Sequence, residues 1–150
     1  MEFDLSVPIR GDANAVFALL ADVQRYATGP GSAVRSMTKT PSGRTGVGTR
    51  WREVVRIGPG ARLTMHSEVT ECVPGRRLAM RFHGGGMAGV LRYTITDDGE
   101  GAVRLRQEET LELRGPLRPL RGGVRRMLEP RLWHRLQEIR DLVETSRDRR

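Results

Sequence analysis

Lysine is all but missing from this chain, cysteine nearly so, and no long apolar run interrupts its 150 residues. Each shortage excludes something. The single cysteine, Cys72, forbids an internal disulfide and fits a reducing cytoplasm. As a nucleophile Cys72 would need a base beside it, and no partner histidine is identifiable, so packing is the plainer role. No segment approaches the roughly 20 consecutive apolar residues of a membrane span. Glu2 and Asp4 make the N-terminus acidic where a secretory leader would begin basic. None of His66, His83 and His134 has a second histidine at ligand spacing, and neither His-Glu-x-x-His nor Cys-x-x-Cys occurs. No metal and no other cofactor is therefore expected.

What the chain has instead is arginine. The net charge is +8, and Lys39 is the only lysine. The charge is uneven: from Arg114 to Arg135 arginines crowd the chain and Glu129 is the only acid. Such a patch invites an anionic partner. Against nucleic acid stands the lack of helix-turn-helix or zinc spacing, and of aromatics within the patch apart from Trp133. A solvated helix face is the plainer reading. An acidic acyl carrier protein docking on Arg121, Arg125 and Arg126 is the other.

The order of elements is informative. Phe3, Leu5 and Val7 alternate with polar residues, so Glu2–Ile9 reads as a strand, with Pro8 suited to an edge. Gly11-Asp12 provides a turn and a helix N-cap. Val16, Phe17, Leu20 and Val23, with Tyr26 behind them, stripe the helix that follows, and Thr28–Ser32 stops it. A strand is predicted at Ala33–Thr40. Between Val47 and Leu113 five alternating runs are broken at Pro59-Gly60, Pro74-Gly75, Gly84-Gly85-Gly86 and Asp97-Asp98-Gly99. The glycine run is not a phosphate loop, because no Gly-Lys-Ser/Thr follows. It reads as a flexible hairpin loop.

After Gly115 the period changes. Leu117, Leu120, Val124 and Met127, then Leu128, Leu132, Leu136, Ile139 and Val143, recur at helical spacing around a Pro130 that should kink the axis. That kink suits either a lid over a pocket or a helix following a curved sheet. No repeat or linker divides residues 1–150. The expected fold is a single α+β domain, a curved antiparallel sheet wrapped around one long C-terminal helix and enclosing an internal cavity.

Strand parity separates the faces. Trp51, Glu53 and Val55 point inward against Arg50, Arg52 and Arg56. Leu63, Met65, Ser67 and Val69 oppose Arg62, His66 and Glu68. Leu78, Met80 and Phe82 oppose Arg77 and Arg81, and Leu91, Tyr93 and Ile95 oppose Arg92. Val103, Leu105, Gln107, Glu109 and Leu111 share the inner face of the last strand. An inner face made only for packing should be apolar, yet Glu53, Ser67, Tyr93, Gln107 and Glu109 fall on it. Burying an unpaired carboxylate costs several kcal/mol, roughly, unless it is hydrated, paired or neutralised. A hollow interior resolves this. A one-residue slip, turning these side chains to solvent, is the alternative.

The pattern resembles the START-like (SRPBCC) superfamily, in particular its polyketide cyclase/dehydrase-like members. The carrying segments are Ser6-Val-Pro-Ile9 with Val16-Phe17 and Asp22–Tyr26, Gly46–Trp51, Ser67–Pro74 with Arg77-Leu78, and the helix ending Leu142-Val-Glu144. The chain departs from the family at Ala27-Thr-Gly-Pro30, where an aromatic-proline step is common. The resemblance implies a helix-grip fold of seven antiparallel strands around the long helix, with a deep cavity for an apolar or aromatic molecule. It carries no shared catalytic motif.

Two functions fit this container. An enzyme cyclising or dehydrating a polyketide-like substrate needs a base beside a carbonyl and a donor for the enolate oxygen. Glu53 or Glu109 would be the base, Tyr93 the donor, and Ser67 or Gln107 would orient the substrate. Trp51, Met65, Met80, Phe82, Leu91 and Met127 would shape the site and exclude water. The rival is a carrier or sensor of a hydrophobic metabolite, using the same polar groups only to orient its ligand. The reading favours the enzyme, working in the cytoplasm as a monomer or homodimer.

Overall fold

The computed structural model describes residues 1–22 and 34–149. The expectations for Val23, Tyr26, the Thr28–Ser32 stop, Ala33 and the Ala27–Pro30 step lie outside the described residues. Alternation makes the first strand, β1 (Glu2–Arg10): Phe3, Leu5, Val7 and Ile9 are buried and the residues between them face outward. Asp12 then caps α1 (Ala13–Ala21), its Oδ1 accepting from the Ala15 amide at 2.7 Å. Val16, Phe17 and Leu20 form the buried stripe of this helix.

Six more strands follow: β2 (Val34–Thr40), β3 (Arg50–Gly58), β4 (Ala61–Val73), β5 (Arg77–Gly84), β6 (Met87–Asp97) and β7 (Ala102–Leu113). Together with β1 they form one antiparallel sheet in the order β1-β7-β6-β5-β4-β3-β2. The strands from β2 to β7 are a meander, and the first strand returns to pair with the last. A 3-10 turn (Gly115–Leu120) leads into α2 (Arg121–Asp148).

The seven strands and the long closing helix are those the sequence pattern predicts. Parity holds through every cavity-facing row of β3 to β7. Irregularities in register fall between Val34 and Ser36, Arg56 and Gly58, and Val69 and Glu71, outside the rows that carry Glu53, Ser67, Tyr93 and Glu109.

The helix departs from the expected stripe in one respect. Only Leu136, Ile139 and Val143 are buried, all beyond Pro130, where α2 packs into a core with Leu5, Val7, Ile9, Val16 and Leu105. Before Pro130, Leu120 and Met127 are exposed and Leu128 is half-buried. The helix continues through the proline, which removes one backbone donor. Half of α2 is thus an anchor, and the other half lies over the sheet without a buried side chain of its own. Among the described residues no helix is long and apolar enough to cross a membrane.

Candidate functional site

Where the first half of α2 crosses the inner face of the sheet, a cavity of about 230 Å³ remains. Trp51, Glu53 and Val55 reach it from β3, Leu63, Met65 and Ser67 from β4, and Met80 and Phe82 from β5. Met87, Leu91 and Tyr93 come from β6, Glu109 and Leu111 from β7, and Leu20 and Met37 from α1 and β2. The helix contributes Met127, Leu128, Arg131, Leu132 and Arg135.

Cross-strand register fixes these neighbours. Trp51 lies opposite Ser67, and Ser67 opposite Phe82. Glu53 lies opposite Met65, and Leu91 opposite Glu109. Phe82 lies opposite Gly89, and that glycine is required: a Cβ there would stand 2.0 Å from the Thr110 carbonyl oxygen and 2.8 Å from Phe82 Cζ. The Phe82 ring therefore lies against bare backbone. Gly85, at φ +58°, similarly admits Leu63, so the glycine-rich hairpin closes down on one end of the cavity.

The polar groups set the chemistry. Glu109 is half-buried among apolar side chains, and desolvation pushes its pKa up to about 7, against the opposing pull of Arg135. Glu53 is a second carboxyl on the wall, on β3, with three strands between it and the β7 strand of Glu109. Tyr93 is buried at 4% exposure, as is Trp51. Trp51 Nε1 has no hydrogen-bond partner among the described residues. A buried donor left unpaired costs about 1–3 kcal/mol, and a bound acceptor would recover it.

The residues expected at the site therefore converge on one cavity, with one exception. Gln107 lies on the inner face between Leu5 and Tyr93 but is not part of the wall. It is buried at 1% exposure, with Oε1 unpartnered among the described residues. Its place is one row deeper than Glu109, in the core, so it does not touch a ligand in this shape of the cavity.

Sequence reasoning missed Arg131 and Arg135. A signal was there: Leu128, Arg131, Leu132 and Arg135 are spaced i, i+3, i+4 and i+7, one face of a helix. By charge alone both arginines belong to the solvated face of the helix. Of the carrier-docking candidates, Arg121, Arg125 and Arg126 are exposed, and the Arg125 guanidinium also lies 4.9 Å from the centre of the Phe3 ring. His66 and His83 are neighbours on the outer face, their ring centres 5.3 Å apart, and exposed His134 contacts Glu138 at 2.9 Å. Cys72 is half-buried, with Sγ 3.9 Å from the Thr45 carbonyl oxygen.

A family model described as "Polyketide cyclase / dehydrase and lipid transport" matches residues 1–144. No curated protein matches the chain in sequence. Among solved structures, it is similar to the Zhui aromatase/cyclase from Streptomyces sp. R1128 at 17% identity, covering 96% of this chain and 93% of that one, with a TM-score of 0.78. A START superfamily protein from Mycobacterium smegmatis is similar at 16% identity, with 96% and 97% covered and a TM-score of 0.72. A norcoclaurine synthase from Thalictrum flavum, solved with a transition-state analogue, is similar at 13% identity, with 98% and 96% covered and a TM-score of 0.68. At these identities the likeness shows the START, or helix-grip, fold and no more.

Proposed function

Since the chain belongs to the polyketide cyclase/dehydrase and lipid transport family, we propose that its cavity binds a hydrophobic, carbonyl-bearing molecule of polyketide type and catalyses its cyclisation and dehydration. One observation carries this reading: the Glu109 carboxyl lies in a largely apolar cavity with its pKa raised to about 7. A carboxyl so placed is close to half protonated at neutral pH and both takes and returns a proton readily.

In the proposed sequence, the Glu109 carboxylate removes a proton from the carbon beside a ligand carbonyl. The enolate oxygen accepts a hydrogen bond from the Tyr93 hydroxyl. The enolate carbon attacks a second carbonyl of the same folded molecule, forming the ring bond, and Glu109 returns its proton to the new alkoxide. A second abstraction at the same carbon lets the new hydroxyl depart, and the Glu109 proton converts it to water. Trp51 Nε1 donates to a ligand oxygen, Ser67 and Glu53 orient the chain, and Phe82, Leu91 and their apolar neighbours exclude solvent. One acid–base group supplies roughly 100- to 10,000-fold in rate, so holding the substrate folded must supply the rest.

Native mass spectrometry after incubation with extract of the producing organism tests this. A bound species that returns lighter by one water supports turnover, and Glu109→Gln should then hold the ligand unaltered. A ligand that the native protein returns unchanged makes it a carrier. The unpaired Cys72 suits a cytoplasmic setting. The proposed delivering partner is an acidic acyl carrier protein on the exposed Arg121, Arg125 and Arg126. Reversing all three charges should abolish salt-sensitive binding of such a carrier, and unchanged binding discards the idea.

A further inference from the structure

Met37, Met65, Met80, Met87 and Met127 all line the cavity, and with Met1 they are every methionine in the chain. They come from β2, β4, β5, β6 and α2, so the thioethers are spread around the wall. None belongs to the fully buried core. Met37, Met65, Met80 and Met87 are half-buried, Met127 is exposed, and all five border the cavity.

A wall shaped for one rigid ligand favours branched and aromatic side chains, which have few rotamers. Methionine is unbranched, turns about three bonds and keeps favourable sulfur contacts with aromatic rings in many poses. Two further observations agree. The cavity, at about 230 Å³, is below the roughly 300–1,000 Å³ usual for small-molecule sites. The unpartnered Trp51 Nε1 is sealed in the wall, so a ligand that satisfies it must first move its neighbours.

We infer that the cavity is a deformable site, opened by repacking of its five methionines, which accepts polycyclic hydrophobic ligands larger than its resting volume and of more than one shape. This rests on the reading of the cavity as the ligand site. Selectivity in such a site comes from a few polar anchors, here Trp51 and Glu109, while the remainder adapts.

The test uses three fluorescent aromatic acids of rising size: 1-naphthoic, 9-anthroic and 1-pyrenecarboxylic acid. The native protein should bind all three with dissociation constants within about tenfold of one another. In Met65→Leu/Met80→Leu/Met87→Leu, which conserves volume but stiffens the wall, the ratio of pyrene to naphthalene affinity should fall by at least about tenfold. An unchanged ratio overturns the inference and leaves the ligand-site reading intact. Failure of the native protein to bind any of the three overturns both. Independently of that variant, methyl-13C methionine spectra of the native protein should show the five internal methyl signals shifting with pyrenecarboxylic acid while Met1 stays put. Five unmoved signals at saturation overturn the inference.

Discussion

Glu109 and Arg135 share one cavity, and burial of the carboxyl outweighs the charge of the arginine. The Glu109 pKa stands at about 7 even though Arg135 pulls it down. The first prediction follows from that opposition. Arg135→Leu should move the Glu109 titration to still higher pH, and Arg135→Lys should leave it near its native position. A carboxyl-13C titration reads this directly. A downward move in the leucine variant would mean that the two groups do not interact as the geometry requires.

Glu109 also links stability to pH. Its pKa is about 7 when folded and 4.5 as a free side chain, so between those values the folded state binds more protons than the unfolded one. No penalty applies below pH 4.5. Stability then falls as pH rises through this window, by roughly 3 kcal/mol once the group is fully ionised. Urea midpoints of the native protein and Glu109→Gln should coincide near pH 4.5 and separate towards pH 8, with the glutamine variant the more stable. Parallel curves would refute this assignment.

Gly89 should tolerate no side chain. In Gly89→Ala the new methyl meets the Thr110 carbonyl oxygen at 2.0 Å and the Phe82 ring at 2.8 Å, and one of these is backbone. A loss of roughly 2–4 kcal/mol in denaturant stability is expected, from strain of the kind that marks overpacked sites. Phe82 should turn as well, changing the environment of Trp51 and hence its fluorescence. Neutral stability with unchanged fluorescence would show that β6 moves aside at little cost.

At the other end of the sheet, Asp12→Ala should cost about 1 kcal/mol by freeing the Ala15 amide, and Asp12→Asn should cost much less. Both should leave the Glu109 titration unchanged, since α1 reaches the cavity only through Leu20. A shift of that titration would reveal coupling through α1.

Much of the site could be read from period two alone. Strand parity needs only local alternation and clear turns, and the register irregularities happen to lie beyond the rows of Trp51, Glu53 and Ser67. Gln107 shows where parity stops being enough. It fixes the face of a residue but not how far along the strand the cavity ends, which depends on where α2 leaves the sheet. Arg131 and Arg135 were hidden for a different reason. A charged side chain on a helix is assumed to face water, yet a long arginine can lie along an apolar wall with its head at the opening. The absence of buried residues in α2 before Pro130 was likewise beyond reach, because an apolar stripe looks the same whether it meets a core or a void.

The pairing of β1 with β7 also bears on how the chain is made. Glu2 meets Thr110, and Arg10 meets Ala102, so the first strand leaves the ribosome about 100 residues ahead of β7, its one partner strand among the described residues. At roughly 5–20 residues per second it waits about 5–20 seconds, with Phe3, Leu5, Val7 and Ile9 uncovered. The helix that seals the same face arrives later still. Assembly is therefore postponed until synthesis is nearly over, and a stalled or truncated nascent chain presents a long apolar strand edge to whatever is nearby.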